Sequence, residues 1–127
     1  MKSSNRHTEY TFEFSSDGQM LLIDVKREME LSFSLELLTQ SVNLAESKDC
    51  KLYLFDLSKV GTKDSVLNQY IYAQRFPETL FPHDGKAAAF AGGYYEDHRF
   101  METLLRNVGV NVRFFHSKNE ALTWLLG

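Results

Sequence analysis

Leu52-Tyr-Leu-Phe-Asp-Leu-Ser-Lys-Val-Gly-Thr-Lys-Asp-Ser-Val-Leu-Asn-Gln-Tyr70 is the stretch whose reading decides the fold. Its first part, Leu52 to Leu57, is almost continuously apolar, as a central strand covered on both faces must be. Asp56-Leu57-Ser58 closes the strand. A short polar loop comes next, and Asp64-Ser65 opens a helix marked by Val66, Leu67, Tyr70 and Ile71. A strand that runs through a loop into a helix is the unit of a parallel α/β sheet, and ligands of such sheets collect at the loops after the strands.

Upstream, Tyr10 to Ser15 alternates with Tyr10, Phe12 and Phe14 on one face, which predicts a half-buried strand. Asp17-Gly18 is a hairpin turn signal, and Met20 to Val25 is a second strand. Leu31, Leu35, Leu38, Val42 and Ala45 recur at helical steps, with Ser32 or Ser34 as candidate caps and an end near Lys48-Asp49.

Downstream, Pro77 and Pro82 interrupt Phe76 to Gly85, so that segment is not helical throughout. Ala87 to Ala91 is a small-residue strand broken by Gly92-Gly93. Met101, Leu104, Leu105 and Val108 predict a helix with Gly109 just past its end. Val110 to Phe115 is the last strand. Ser117 and Glu120 form a capping box, and Ala121, Leu122 and Leu125 predict the apolar face of a final helix.

The expected fold is therefore α/β in the order β-β-α-β-α-β-α-β-α. It has a mostly parallel five-stranded sheet, an antiparallel edge strand and flanking helices. The chain of 127 residues suits one domain over residues 9–127, preceded by a flexible N-terminal arm over residues 1–8. A formal charge of −3 provides no basic footprint, so no nucleic-acid partner is expected. No apolar run reaches membrane-spanning length, which argues against integral membrane association. Cys50 is the only cysteine, which excludes a disulfide framework and favours a cytoplasmic setting. Cys50 has no histidine placed beside it and is read as structural.

The order and spacing of three places resemble the bacterial SpoIIAA-like proteins of the STAS and SEC14-like group. Asp56-Leu57-Ser58-Lys59-Val60, a three-residue spacer and Asp64-Ser65 resemble the anti-sigma-factor-antagonist pattern Asp-Leu-Ser-x-Val, a three-residue spacer, then Asp-Ser-Ser-Gly. Phe90-Ala91-Gly92 resembles that family's later strand and turn. Val112-Arg-Phe-Phe115 with Glu120-Ala-Leu-Thr-Trp-Leu125 resembles its closing strand and helix. The resemblance covers nearly the whole chain and implies a non-enzymatic binding or regulatory module.

One departure matters. In the switch proteins of that family the second serine of Asp-Ser-Ser-Gly accepts a phosphate. Here that position is Val66, and the glycine position is Leu67. Ser65 is one residue away, which on a helix turns the side chain by about 100°. The loop that matches the switch, Asp56, Ser58, Asp64 and Ser65, is thus expected without the phosphoserine switch. Thr62 or Asp64 is read as the helix cap.

Other constellations are weaker. His83-Asp84 and Glu96-Asp97-His98 lack the spacing of a metal site, and Gly92-Gly93 lacks the remaining glycines of a dinucleotide loop. No catalytic residue, metal or cofactor is expected. Phe76-Pro-Glu-Thr-Leu-Phe-Pro-His83 is unusually apolar for a loop and is read as either a lid or a satellite of the core. Tyr70, Phe76, Leu80, Phe81, Tyr94 and Tyr95 form the candidate ligand or partner surface. Trp124 is read as packing, with a dimer contact as the alternative.

Three functions are compatible with this reading. The first is a protein-binding module. The second is a binder of a small apolar molecule or lipid, as resemblance to SEC14-like domains implies. The third and least favoured is an enzyme. A homodimer fits the first two.

Overall fold

A computed structural model describes residues 9–76 and 84–127 of the chain. The arm over residues 1–8 and the loop residues Leu80, Phe81 and His83 lie outside the described residues, so the lid and the core-satellite readings are untested there. The elements are β1 Tyr10–Phe14, β2 Met20–Val25, α1 Leu31–Ser47, β3 Leu52–Asp56, α2 Val66–Arg75, β4 Lys86–Phe90, a 3-10 turn Gly92–Tyr94, α3 Tyr95–Asn107, β5 Val112–Phe115 and α4 Lys118–Leu126. The strands lie in the sheet in sequence order, β1-β2-β3-β4-β5. β1 pairs antiparallel with β2 and the remaining pairs are parallel, as the sequence predicts.

Sequential order has a consequence. Every crossover steps to the next strand in the same direction, so crossovers of one hand put α1, α2 and α3 on one face. That face carries the main core, with Leu21, Ile23, Val25, Tyr53, Ala87 and Ala89 beneath Leu37, Leu38, Val42, Tyr72 and Leu105. α4 alone packs on the other face, placing Ala121 and Leu125 over Met20, Leu54 and Ala88. Alanines fill β4 because helices press on both of its faces. Among the described residues, the far side of β1 has no helix. A shallow groove of about 190 Å³ remains there, lined by residues that include Glu13, Leu22, Asp24, Leu54, Asp56 and Lys118.

Several sequence readings hold in detail. Gly18 adopts φ +72° in the hairpin and Gly109 adopts φ +90° after α3, the left-handed region where a β-carbon is costly. The Ser117–Glu120 capping box is present in both directions. Trp124 packs against Phe115 with ring centroids 6.0 Å apart, and Lys86 Nζ sits 4.5 Å from its ring centre while donating to the Trp124 carbonyl at 2.8 Å.

Three readings need correction. The buried face of α1 is Phe33, Ser34, Leu37, Leu38, Ser41, Val42 and Ala45, while Leu31 and Leu35 sit at its margin. Two small hydroxyls inside the stripe disguised it, and Ser41 stays buried by donating to the Leu37 carbonyl at 2.7 Å. Neither Ser32 nor Ser34 caps α1, whose first amide is capped by Asp64 from the loop before α2. In α2 the buried residues are Gln69, Tyr72 and Ala73, whereas Val66, Leu67 and Tyr70 are exposed.

Candidate functional site

The C-terminal ends of the parallel strands converge at one end of the domain. β3 ends at Asp56, whose Oδ1 accepts from the Ser58 amide at 2.9 Å and from the Ser58 hydroxyl at 2.6 Å. Its Oδ2 accepts from Lys59 Nζ at 3.0 Å, and the same ammonium reaches Asp24 Oδ1 at 2.9 Å. Burial pushes the Asp56 carboxyl up, but the bonds from Ser58 and Lys59 outweigh it and hold it below its ordinary value. Bonds to Asp24 and Asp56 raise Lys59. The Asp-Leu-Ser ending therefore ties down its own turn and bolts β3 to β2.

Two neighbouring elements clamp the rest of the loop. On one side the Met29 amide donates to the Gly61 carbonyl at 3.1 Å, and the Met29 carbonyl accepts from Lys63 N–H at 3.0 Å and Thr62 Oγ1 at 3.2 Å. Asp64 Oδ1 accepts from the Leu31 amide at 3.0 Å. That amide is the first of α1, and the α1 cap residue Glu30 makes no side-chain cap bond of its own. Asp64 thus caps α1 rather than α2. On the other side His98 Nε2 donates to the Val60 carbonyl at 2.8 Å. Gly61 lies so close to α3 that an added Cβ would stand 2.5 Å from Asp97 Oδ2 and 3.3 Å from Tyr94 Cδ1.

The cap of α2 is Ser65, whose Oγ accepts from the Asn68 amide at 3.1 Å. This corrects the expectation that Thr62 or Asp64 serves there. Thr62 instead accepts from the Asp64 amide at 3.2 Å and positions that carboxylate. Burial pushes Asp64 above its ordinary value, with the Leu31 amide opposing. Burial likewise lowers His98, with its Val60 bond opposing. Burial therefore favours the neutral imidazole, with its Nε2 proton committed to a carbonyl.

A turn held this firmly presents the first residues of α2 to solvent. Val66 is 67% exposed and Leu67 is 66% exposed. Tyr70, one turn on, is about half exposed, and Tyr94 stands beside Gly61. An apolar start to a helix, open to solvent, needs an explanation that core packing does not provide.

Beneath α2 lies a cavity of about 70 Å³ between the helix layer and the sheet. Its walls are mainly apolar and include Leu38, Tyr72, Phe76, Ala89, Met101 and Phe114. Asp64, Gln69 and His98 supply polar edges.

Of the six residues of the expected surface, the four described ones differ in exposure. Phe76 is buried on the cavity wall, edge-on to Tyr72. Tyr95 stacks on His116 with centroids 3.9 Å apart. Tyr70 and Tyr94 are exposed, and Leu80 and Phe81 lie outside the described residues. Glu96 and Asp97 are exposed and His98 is turned inward, and no group of metal-ligating side chains occurs among the described residues. Lys59 and Gln69 were missed at the sequence level. The spacing of Gln69, Tyr72, Ala73 and Phe76, at steps of three, one and three, was the available signal for the true inner face of α2.

No protein-family model matches the chain, and no curated protein does either. Among solved structures the chain is similar to an anti-sigma factor antagonist from Mycobacterium paratuberculosis. The TM-score is 0.60 at 15% identity, covering 93% of this chain and 93% of that one. The fold is therefore SpoIIAA-like, of the STAS type, with its five-stranded, mostly parallel sheet and flanking helices.

Proposed function

We propose that this chain is a non-enzymatic regulatory module that binds a protein partner through the start of α2. The observation that carries this reading is the exposure of Val66 and Leu67, about two thirds each, at the helix start that follows a loop braced from both sides. These two residues occupy the positions where the resembling switch proteins carry the phosphate acceptor and the following glycine. An apolar pair here suits a docking surface that is always on. Phosphate at that position would be charged and would oppose burial against an apolar partner. Valine removes that option and adds apolar area to bury.

Two further facts support the reading. The fold resembles that of an anti-sigma factor antagonist. The polar groups of the loop are engaged in holding its shape, Ser58 on Asp56 and His98 on Val60. No helix among the described residues is long and apolar enough to cross a membrane. The lone, buried Cys50 suits the cytoplasm.

Affinity purification from the host's own extract tests the proposal. The arms are the wild-type chain, Leu67→Glu at the proposed surface, and Thr123→Glu on the exposed side of α4. A partner retained by wild type and Thr123→Glu but lost by Leu67→Glu supports it. Identical partners in all three arms refute it.

The cavity under α2 favours a second reading, a small apolar ligand. Its size sets the limit. Pockets for drug-sized ligands run to about 300–1,000 Å³, and a benzene-binding engineered cavity is about 150 Å³. At about 70 Å³ the cavity is too small for a lipid chain in this form of the protein. Native mass spectrometry of the purified chain decides the matter, since a bound small apolar molecule would add a discrete mass.

A further inference from the structure

The two edges of the sheet are finished differently. At β5, α3 reaches over the edge. The Phe114 amide donates to Glu102 Oε2 at 2.8 Å, and Arg106 Nη1 donates to the Val112 carbonyl at 3.1 Å. The Val112 amide turns back onto the Val110 carbonyl at 3.0 Å. A strand arriving at β5 finds these groups taken.

β1, the other edge, has no such cover among the described residues. Its register with β2 shows which groups face outward. The Glu9 carbonyl accepts from the Lys26 amide, and the Ser15 amide donates to the Met20 carbonyl. Odd-numbered residues therefore bond inward, and Tyr10, Phe12 and Phe14 turn their N–H and C=O groups away from β2.

We propose that β1 pairs antiparallel with β1 of a second copy of this chain, about a twofold axis at Phe12, merging the two sheets into one. The strand is complementary to itself in that register. Tyr10 meets the partner's Phe14, and Phe12 meets the partner's Phe12, so outward-facing groups meet outward-facing groups. On the helix-covered face this places aromatic side chains in cross-strand pairs, which are favourable. On the opposite face Thr11 lies against the partner's Glu13, and Glu9 against the partner's Ser15.

Charge selects this register over its neighbours. A shift that keeps outward groups matched brings Glu13 against the partner's Glu13 in one direction. In the other direction it brings Glu13 against the partner's Glu9. Directly opposed like charges destabilise a strand pair, so only the register centred on Phe12 avoids them. A twofold interface of this kind closes on itself and makes a dimer rather than a fibre.

The register gives a test with opposite signs. Thr11→Glu places two Glu–Glu pairs across the seam, and Thr11→Lys places two Lys–Glu pairs there. Sedimentation of the full chain is run from micromolar to millimolar concentration. The dimer Kd is expected to rise about tenfold in the first variant and to fall in the second. Thr11 also faces Asp24 within its own chain, so thermal unfolding is recorded separately to follow monomer stability. In the unmodified chain, amide protection at Tyr10, Phe12 and Phe14 should rise with concentration. A chain that stays monomeric at millimolar concentration overturns the proposal. So does a dimer whose Kd the two substitutions leave unchanged or move in the same direction.

Discussion

Asp64→Ala should unfasten the start of α1, although residue 64 is 33 positions from the amide it caps. The carboxylate accepts the Leu31 N–H at 3.0 Å, and Glu30 at the cap position makes no side-chain bond to replace it. Removing a capping oxygen costs about 1 kcal/mol, and removing a negative charge from a helix N-terminus costs about 0.3–1 kcal/mol more. Burial of the carboxylate opposes part of that gain, as its raised pKa records. The net expectation for Asp64→Ala is a loss of about 1–2 kcal/mol. For a domain of this size that lowers Tm by roughly 4–8 °C. Asp64→Asn keeps an acceptor oxygen and sheds the partly buried charge, so it should cost less than about 0.5 kcal/mol. Thermal and urea unfolding give the magnitudes, and hydrogen exchange gives the place. Protection should fall in the first turn of α1 while α2, capped by its own Ser65, is spared. The reasoning fails if Asp64→Ala is as stable as wild type, or if α2 loses protection and α1 keeps it.

The same loop and the cavity beside it set two further outcomes. Burial depresses His98, so between its folded value and 6.5 the unfolded chain binds more protons than the folded one. Its contribution to stability is complete above pH 6.5 and is lost as pH falls through the folded value. His98→Gln keeps a donor for the Val60 carbonyl and should flatten the stability profile between neutral pH and the acid range, measured by urea unfolding. Ala89→Val adds volume at the cavity wall beneath α2. It should cost less than the roughly 1–3 kcal/mol of overpacking a filled core, and calorimetry reads the difference.

Strands were more legible in the sequence than helix faces. Two-residue alternation in β1 and the apolar run of β3 are set by the sheet itself, so composition and spacing were sufficient. The buried side of α2 was misread because its apolar residues Val66, Leu67 and Tyr70 face water, while Gln69 faces the core. Apolar character alone does not say whether a residue faces the core or water. The capping of α1 by Asp64 was illegible for another reason. The contact spans two loops, and helix signals in sequence are local. The same limit hid Lys59, which joins Asp24 to Asp56 across neighbouring strands. The Asp-Leu-Ser and Asp-Ser spacing marked a strand end and a helix start, and β3 does end at Asp56 and α2 does begin at Val66. That the polar residues between them serve as braces was not visible there, because their partners lie on other elements.

The most direct test of the docking surface is the dissociation constant for the purified partner, compared between wild type and Leu67→Glu. Burying a side chain as exposed as Leu67 is worth about 1–2 kcal/mol. The account therefore predicts roughly 5- to 30-fold weaker binding with an unchanged Tm. Equal affinities for the two proteins would contradict it.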